Sequence, residues 1–177
     1  MALVQGPAAS SREVTGLPHA YGVEVVGLLV SPVHRYAGRP GGGVPPQDGD
    51  RVSRVEVRAG HGVVGDRYAG RAAHRDAAGT VLAAESVEAL RGEEFSLDCG
   101  EGVVVLRGGR PANPCAWLDT VLAPGAHRGL RGRAGIRCAA LSDGVLRLGP
   151  AVLAGAVPLD PARAGYARRP APRPRPA

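Results

Sequence analysis

Lysine is absent from this chain: all 22 basic residues are arginine. Arginine without lysine reads as a compositional bias rather than as a face selected to grip nucleic acid. Aromatic residues are nearly missing as well, with one Phe, one Trp and 3% aromatics in total. Aliphatic side chains must therefore fill the interior, and there is little surface on which bases would stack. Cysteine is scarce, with three residues (Cys99, Cys115, Cys138) at irregular spacing. An odd, irregular set is neither a disulfide framework nor a zinc pattern. No apolar run is long enough to span a bilayer, and the first residues lack the charged, apolar and small-residue order of a secretory signal. The expectation is a cytoplasmic, reduced protein without membrane contact. No phosphate-loop or dinucleotide fingerprint occurs either, since Gly41-Gly42-Gly43 stands in a Pro-rich stretch without a following Lys.

What is present points to one globular domain. The 177 residues are 44% apolar, enough for a full core. The net charge is +6 and the pI about 10.0. Five arginines (Arg163, Arg168, Arg169, Arg173, Arg175) lie in residues 161–177, which hold no acid, so subtracting these five leaves +1 for residues 1–160. The basic character belongs mostly to a Pro- and Arg-rich tail that is expected to be disordered. A nucleic-acid partner acting through that tail is the least favoured function. Residues 1–20 lack periodicity and read as a flexible N-terminus, which leaves 21–160 as the domain.

Within that domain the pattern is short strands and frequent turns. Val23–Val30 reads as a buried strand and Val52–Arg58 as a half-exposed one, with Val55 and Val57 on one face. Thr80–Ala84, Glu94–Asp98 and Val103–Arg107 follow as strands, with one or two helical turns over Glu85–Leu90. Trp117, Leu118, Val121 and Leu122 share a helical face from Ala116 until Pro124. Ile136–Leu141 and Val145–Leu148 flank Ser142-Asp143-Gly144 and read as a hairpin. The fold class is mainly β, a barrel or sandwich with a few short helices.

Cys115 is the leading chemical candidate. Asn113 suits an N-cap and Pro114 the first helical position, which places Cys115 in the first turn of a helix. A thiol there meets unpaired N–H groups and the positive helix end, and both favour thiolate. The plainer alternative is a small buried hydrophobe. Asp66 and Arg67 follow Gly65 in a turn. They act either as a structural brace or, through the guanidinium fork of Arg67, as a holder of a phosphate. His61 and His74 flank that turn as bystanders or proton carriers. His127, Arg128, Arg131, Arg133 and Arg137 form a cationic run without an acid, either an anion holder or a solvated loop. Cys99 and Cys138 read as core residues, Cys99 doubling as a resolving thiol if it lies beside Cys115.

Four stretches together resemble the MOSC domain, the C-terminal module of molybdenum cofactor sulfurases that also occurs alone. They are Val25–Pro32; Gly62-Val63-Val64-Gly65-Asp66-Arg67-Tyr68-Ala69-Gly70; Asn113-Pro114-Cys115; and Arg128–Arg137 with Gly144–Gly149. The resemblance covers roughly residues 23–157 and implies a MOSC-like β-barrel. It implies that Cys115 carries sulfur or ligates molybdenum, and that Asp66, Arg67, Asn113, Arg128, Arg133 and Arg137 bind a molybdopterin-type cofactor. The activities implied are those of a sulfurtransferase or a molybdenum cofactor-dependent oxidoreductase. The pyridoxal-phosphate domain in which full sulfurases make persulfide has no counterpart here. The expected partner is then a small molecule or a sulfur-donor protein. One family segment, containing Asn and lying before the strand that leads to Pro-Cys, is missing. Its place is taken by Glu85–Leu90 running directly into Arg91–Phe95. The second reading is a non-catalytic binding module on the same fold.

Overall fold

The computed structural model describes residues 2–8, 16–33, 48–70, 81–83, 87–116, 118–121, 123–131 and 134–159. Eleven strands dominate them. They are β1 (Ala2–Ala8), β2 (His19–Leu29), β3 (Arg51–Val52), β4 (Arg54–Arg58), β5 (Gly62–Val63), β6 (Val81–Ala83), β7 (Glu94–Asp98), β8 (Val103–Pro111), β9 (Ile136–Ala140), β10 (Gly144–Arg147) and β11 (Gly149–Gly155). Two four-residue helices, α1 (Leu118–Val121) and α2 (Ala126–Gly129), sit between β8 and β9. The protein is mainly β, as expected. No helix among the described residues is long and apolar enough to cross a membrane.

Eight strands form one sheet in the order β1-β6-β9-β8-β7-β11-β2-β3, and β1 also pairs with β2. That second pairing makes the sheet curl back on itself. Side chains alternate across it: in β9, Ile136, Cys138 and Ala140 are buried while Arg137 and Ala139 between them are not. The concave face gathers Val25, Leu28, Leu97, Leu106, Ile136 and Leu153, all 3% exposed or less. Phe95, the single phenylalanine, is at 0%. Aliphatic packing around one aromatic ring is what the composition requires.

A smaller sheet, β10-β4-β5, packs at one edge. It corrects the expected hairpin. The Ser142-Asp143-Gly144 turn is there, but β9 pairs with β8 and β6, whereas β10 pairs with β4. The Ser142 hydroxyl takes the Val105 N–H at 2.8 Å. A Cβ on Gly144 would stand 2.7 Å from Val104 Cγ2, so the chain passes close over β8 there and a side chain at that position would have to displace Val104. Glu101 then ties the two sheets, accepting from Arg54 at 3.1 Å and from Arg147 at 3.3 Å.

Two further expectations change. Ala2–Ala8 is a strand rather than a loose end, bulged where its register slips on β2. Gly149–Gly155, assigned no structure from the sequence, is a strand paired on both sides, with β2 and β7. Gly108 in β8 permits the closest approach in the core, because a Cβ there would fall 1.9 Å from the Leu90 carbonyl oxygen.

Candidate functional site

The thiol candidate stands on the connection from β8 to β9. Pro111 has no N–H to extend the ladder and ends β8, and the Ala112 N–H still reaches the Gly135 carbonyl at 2.8 Å. Asn113 and Pro114 lie in neither strand nor helix. The chain turns at Cys115, whose carbonyl accepts the Leu118 N–H at 3.0 Å. The helix therefore begins at Leu118, not at Pro114, and has four residues. This corrects the placement of Cys115 in a first helical turn: the thiol precedes a helix too short to supply a useful dipole. Asp119 accepts the His127 N–H at 2.6 Å and so joins α1 to α2, which carries Arg128.

Exposure separates the three cysteines. Cys115 is exposed, whereas Cys99 and Cys138 are buried at 2% and 0%. Burial pushes the Cys138 thiol up to about 12 and raises that of Cys99, so both stay protonated and inert. Cys99 follows β7 at the edge where β8 begins, and Cys115 lies past the far end of β8. Nine residues of strand separate those ends by about 27 Å, too far for Cys99 to resolve a bond at Cys115.

Asp66 and Arg67 occupy a different place. Asp66 accepts the Ser31 N–H through Oδ2 at 3.3 Å and the Tyr68 N–H through Oδ1 at 2.9 Å. The Arg67 N–H donates to the Ser31 carbonyl at 3.0 Å, and its Nη1 donates to the Val33 carbonyl at 3.2 Å. Its guanidinium lies 4.4 Å from the centre of the Tyr68 ring, and Nη2 donates to the Tyr68 hydroxyl at 3.3 Å. Among the described residues, Nε is buried without an acceptor. Ser31 also donates to the buried Asp50 at 2.7 Å. These bonds lace residues 62–70 onto the segment that follows β2, which is the brace reading. The exposed His61 accepts the Gly70 N–H through its carbonyl at 2.8 Å.

Strand directions fix where the two groups lie. Three antiparallel steps, β2 to β11 to β7 to β8, make β2 and β8 run oppositely. The brace lies beyond the C-terminal end of β2, and Cys115 lies beyond the C-terminal end of β8. They stand at opposite edges of the sheet. The structure brings Asn113, Cys115, Arg128 and Arg137 to one edge and leaves Asp66 and Arg67 at the other. Arg137 projects from the outer face of β9, and Arg128 and Arg131 are exposed. Arg133, His74, Gly41–Gly43, Trp117, Leu122 and the 161–177 tail lie outside the described residues.

A molybdenum cofactor would need these residues to converge. Among the described residues they do not, and no group of three His, Cys, Asp or Glu side chains could hold a metal. No protein-family model, curated protein or solved structure matches this chain. One feature that sequence reasoning missed is the Ser31–Asp50 bond. A buried acid in a Pro/Gly-rich stretch gave no periodic signal.

Proposed function

We propose that this chain is a MOSC-type β-barrel protein that carries sulfur on Cys115. The observation that carries the reading is the contrast among its thiols: Cys115 is exposed on the β8–β9 connection, and the other two are sealed in the core. A carrier needs an accessible sulfur and a stable support, and both are present. The Cys115 thiolate attacks the outer sulfur of a donor persulfide. The donor's S–S bond breaks, a new S–S bond forms at Cys115, and the donor leaves as thiolate, so no net oxidation occurs. Among the described residues, those expected to hold a molybdenum cofactor stand apart at opposite strand ends and do not form one site.

The test is to incubate the reduced protein with a small persulfide donor and measure labile sulfur by mass spectrometry, with molybdenum analysis of the protein as purified. One labile sulfur on Cys115, lost in Cys115→Ser, supports the carrier. Equal loading of the variant ends it. A second reading, the binding module without chemistry, is favoured by the internal engagement of Asp66 and Arg67. It is distinguished by a Cys115 that alkylates yet never retains sulfur.

A further inference from the structure

Past Gly155 the chain leaves both of its strand partners, His19 in β2 and Phe95 in β7. The next four residues alternate: Ala156 and Pro158 are exposed, and Val157 and Leu159 are half-buried against the core. Pro158 has no N–H to offer a ladder. Among the described residues, a single hydrogen bond ties this strap to the sheet, the Leu159 N–H donating to the Tyr21 hydroxyl at 3.1 Å. The core cluster against which Val157 and Leu159 pack includes the fully buried Leu90 and Phe95, both close to Gly155 where the strap begins. A Cβ on Gly155 would stand 3.3 Å from Leu90 Cδ2 and 3.7 Å from Phe95 Cβ, with the Val157 carbonyl at 3.6 Å. The strap therefore covers one end of the interior.

We propose that Val157–Leu159 is a latch that opens as its own unit while β11 stays paired, uncovering the apolar end of the core around Tyr21, Leu90 and Phe95. The physical contrast is direct. β11 has ladders on both sides, whereas among the described residues the latch has one neutral hydrogen bond and two partly covered aliphatic side chains. Segments with so few buried contacts open at free energies well below that of global unfolding. This inference is independent of Cys115.

Amide hydrogen exchange on the full chain, read by NMR, tests it. The Leu159 amide should exchange at least about tenfold faster than the Leu153 amide within β11. Tyr21→Phe removes the acceptor and should speed Leu159 exchange by about five- to tenfold, leaving Leu153 and the urea midpoint nearly unchanged. Leu159→Ala, which keeps the Tyr21 hydroxyl and the residue-159 N–H, should speed exchange at that same amide while leaving Leu153 nearly unchanged. A common rate for Leu159 and Leu153 in the parent protein would overturn the latch without recourse to any variant. So would an equal acceleration of both amides in Tyr21→Phe.

Discussion

The two edges of the curled sheet are built by opposite strategies. Beyond β2, side chains do the joining: Asp66 spends both carboxylate oxygens on backbone N–H groups, and Arg67 reaches a carbonyl, a hydroxyl and a ring. Beyond β8, the backbone does most of it. Among the described residues, the Ala112–Gly135 and Cys115–Leu118 bonds shape the connection, and the Asp119 carboxylate adds a side-chain tie to the His127 N–H. The first edge leaves few polar groups free to react. The second leaves a sulfur atom at the surface with no structural duty. A conspicuous motif can thus serve the architecture, while a modest residue on a plain connection stays at the surface.

The comparison breaks most sharply at Cys115. Cys115→Ser should abolish persulfide loading and alkylation of the native protein while moving stability by less than about 0.5 kcal/mol, as expected of a surface substitution. Alkylation counted by mass spectrometry should rise from one site in the native parent to three in denaturant, because Cys99 and Cys138 are then released. A mirror-image result is expected at the other edge. Asp66→Ala leaves the Ser31 and Tyr68 amides without their acceptor and should cost about 1–3 kcal/mol in urea unfolding, with sulfur loading retained. Loss of loading in that variant, with the fold intact, would join the two edges into one site.

A smaller effect sharpens the contrast within the thiol's own edge. Asp119→Ala removes the acceptor of the His127 N–H and should cost about 1 kcal/mol or less, since the connection is held mostly by backbone. Exchange should quicken at His127 before it does in β9. The smallest effect is at the small sheet. The Ala59 N–H, then the Arg58 guanidinium, hold the Asp143 carboxyl below its ordinary range, and Arg54 does the same for Glu101. Carboxyls lowered in the folded state stabilise it above their unfolded values and lose that contribution as pH falls through the folded ones. Stability against thermal unfolding should therefore fall below about pH 4. Asp143→Asn should slightly lower the melting temperature at pH 7 and flatten its acid dependence.

Much of the architecture was legible where residues alternate. Val55 and Val57 face inward as their period-two spacing demands, and Glu94–Asp98 and Val103–Arg107 are strands. β11 was not legible, because Ala151, Leu153, Ala154 and Gly155 are all buried and the alternation that marks a half-exposed strand fails. β1 was hidden by Gly6 and Pro7, which fit a strand only through its bulge. The Asp-Gly turn was visible, but its two strands take partners far away in sequence, β10 on β4 and β9 on β8 and β6, and nothing local signals such long-range pairing. Around Cys115, Asn113 and Pro114 carry genuine helix-start chemistry. The long-range bond from Ala112 to Gly135 outweighs it and delays the helix.

The pairing of β1 sets an order of events in synthesis. Its two neighbours are β2, only about a dozen residues downstream, and the parallel β6, whose Leu82 sits beside Ala2. While a ribosome is extending the chain, the opening strand can find its first companion early. It stays open along its other flank until position 81 has emerged. β6 in turn needs β9, and the curled sheet gains its last seams only when β11, ending at Gly155, fills the gap between β2 and β7. Such non-local assembly is slow, and a nascent chain stalled before that point would present a raw strand edge to its neighbours.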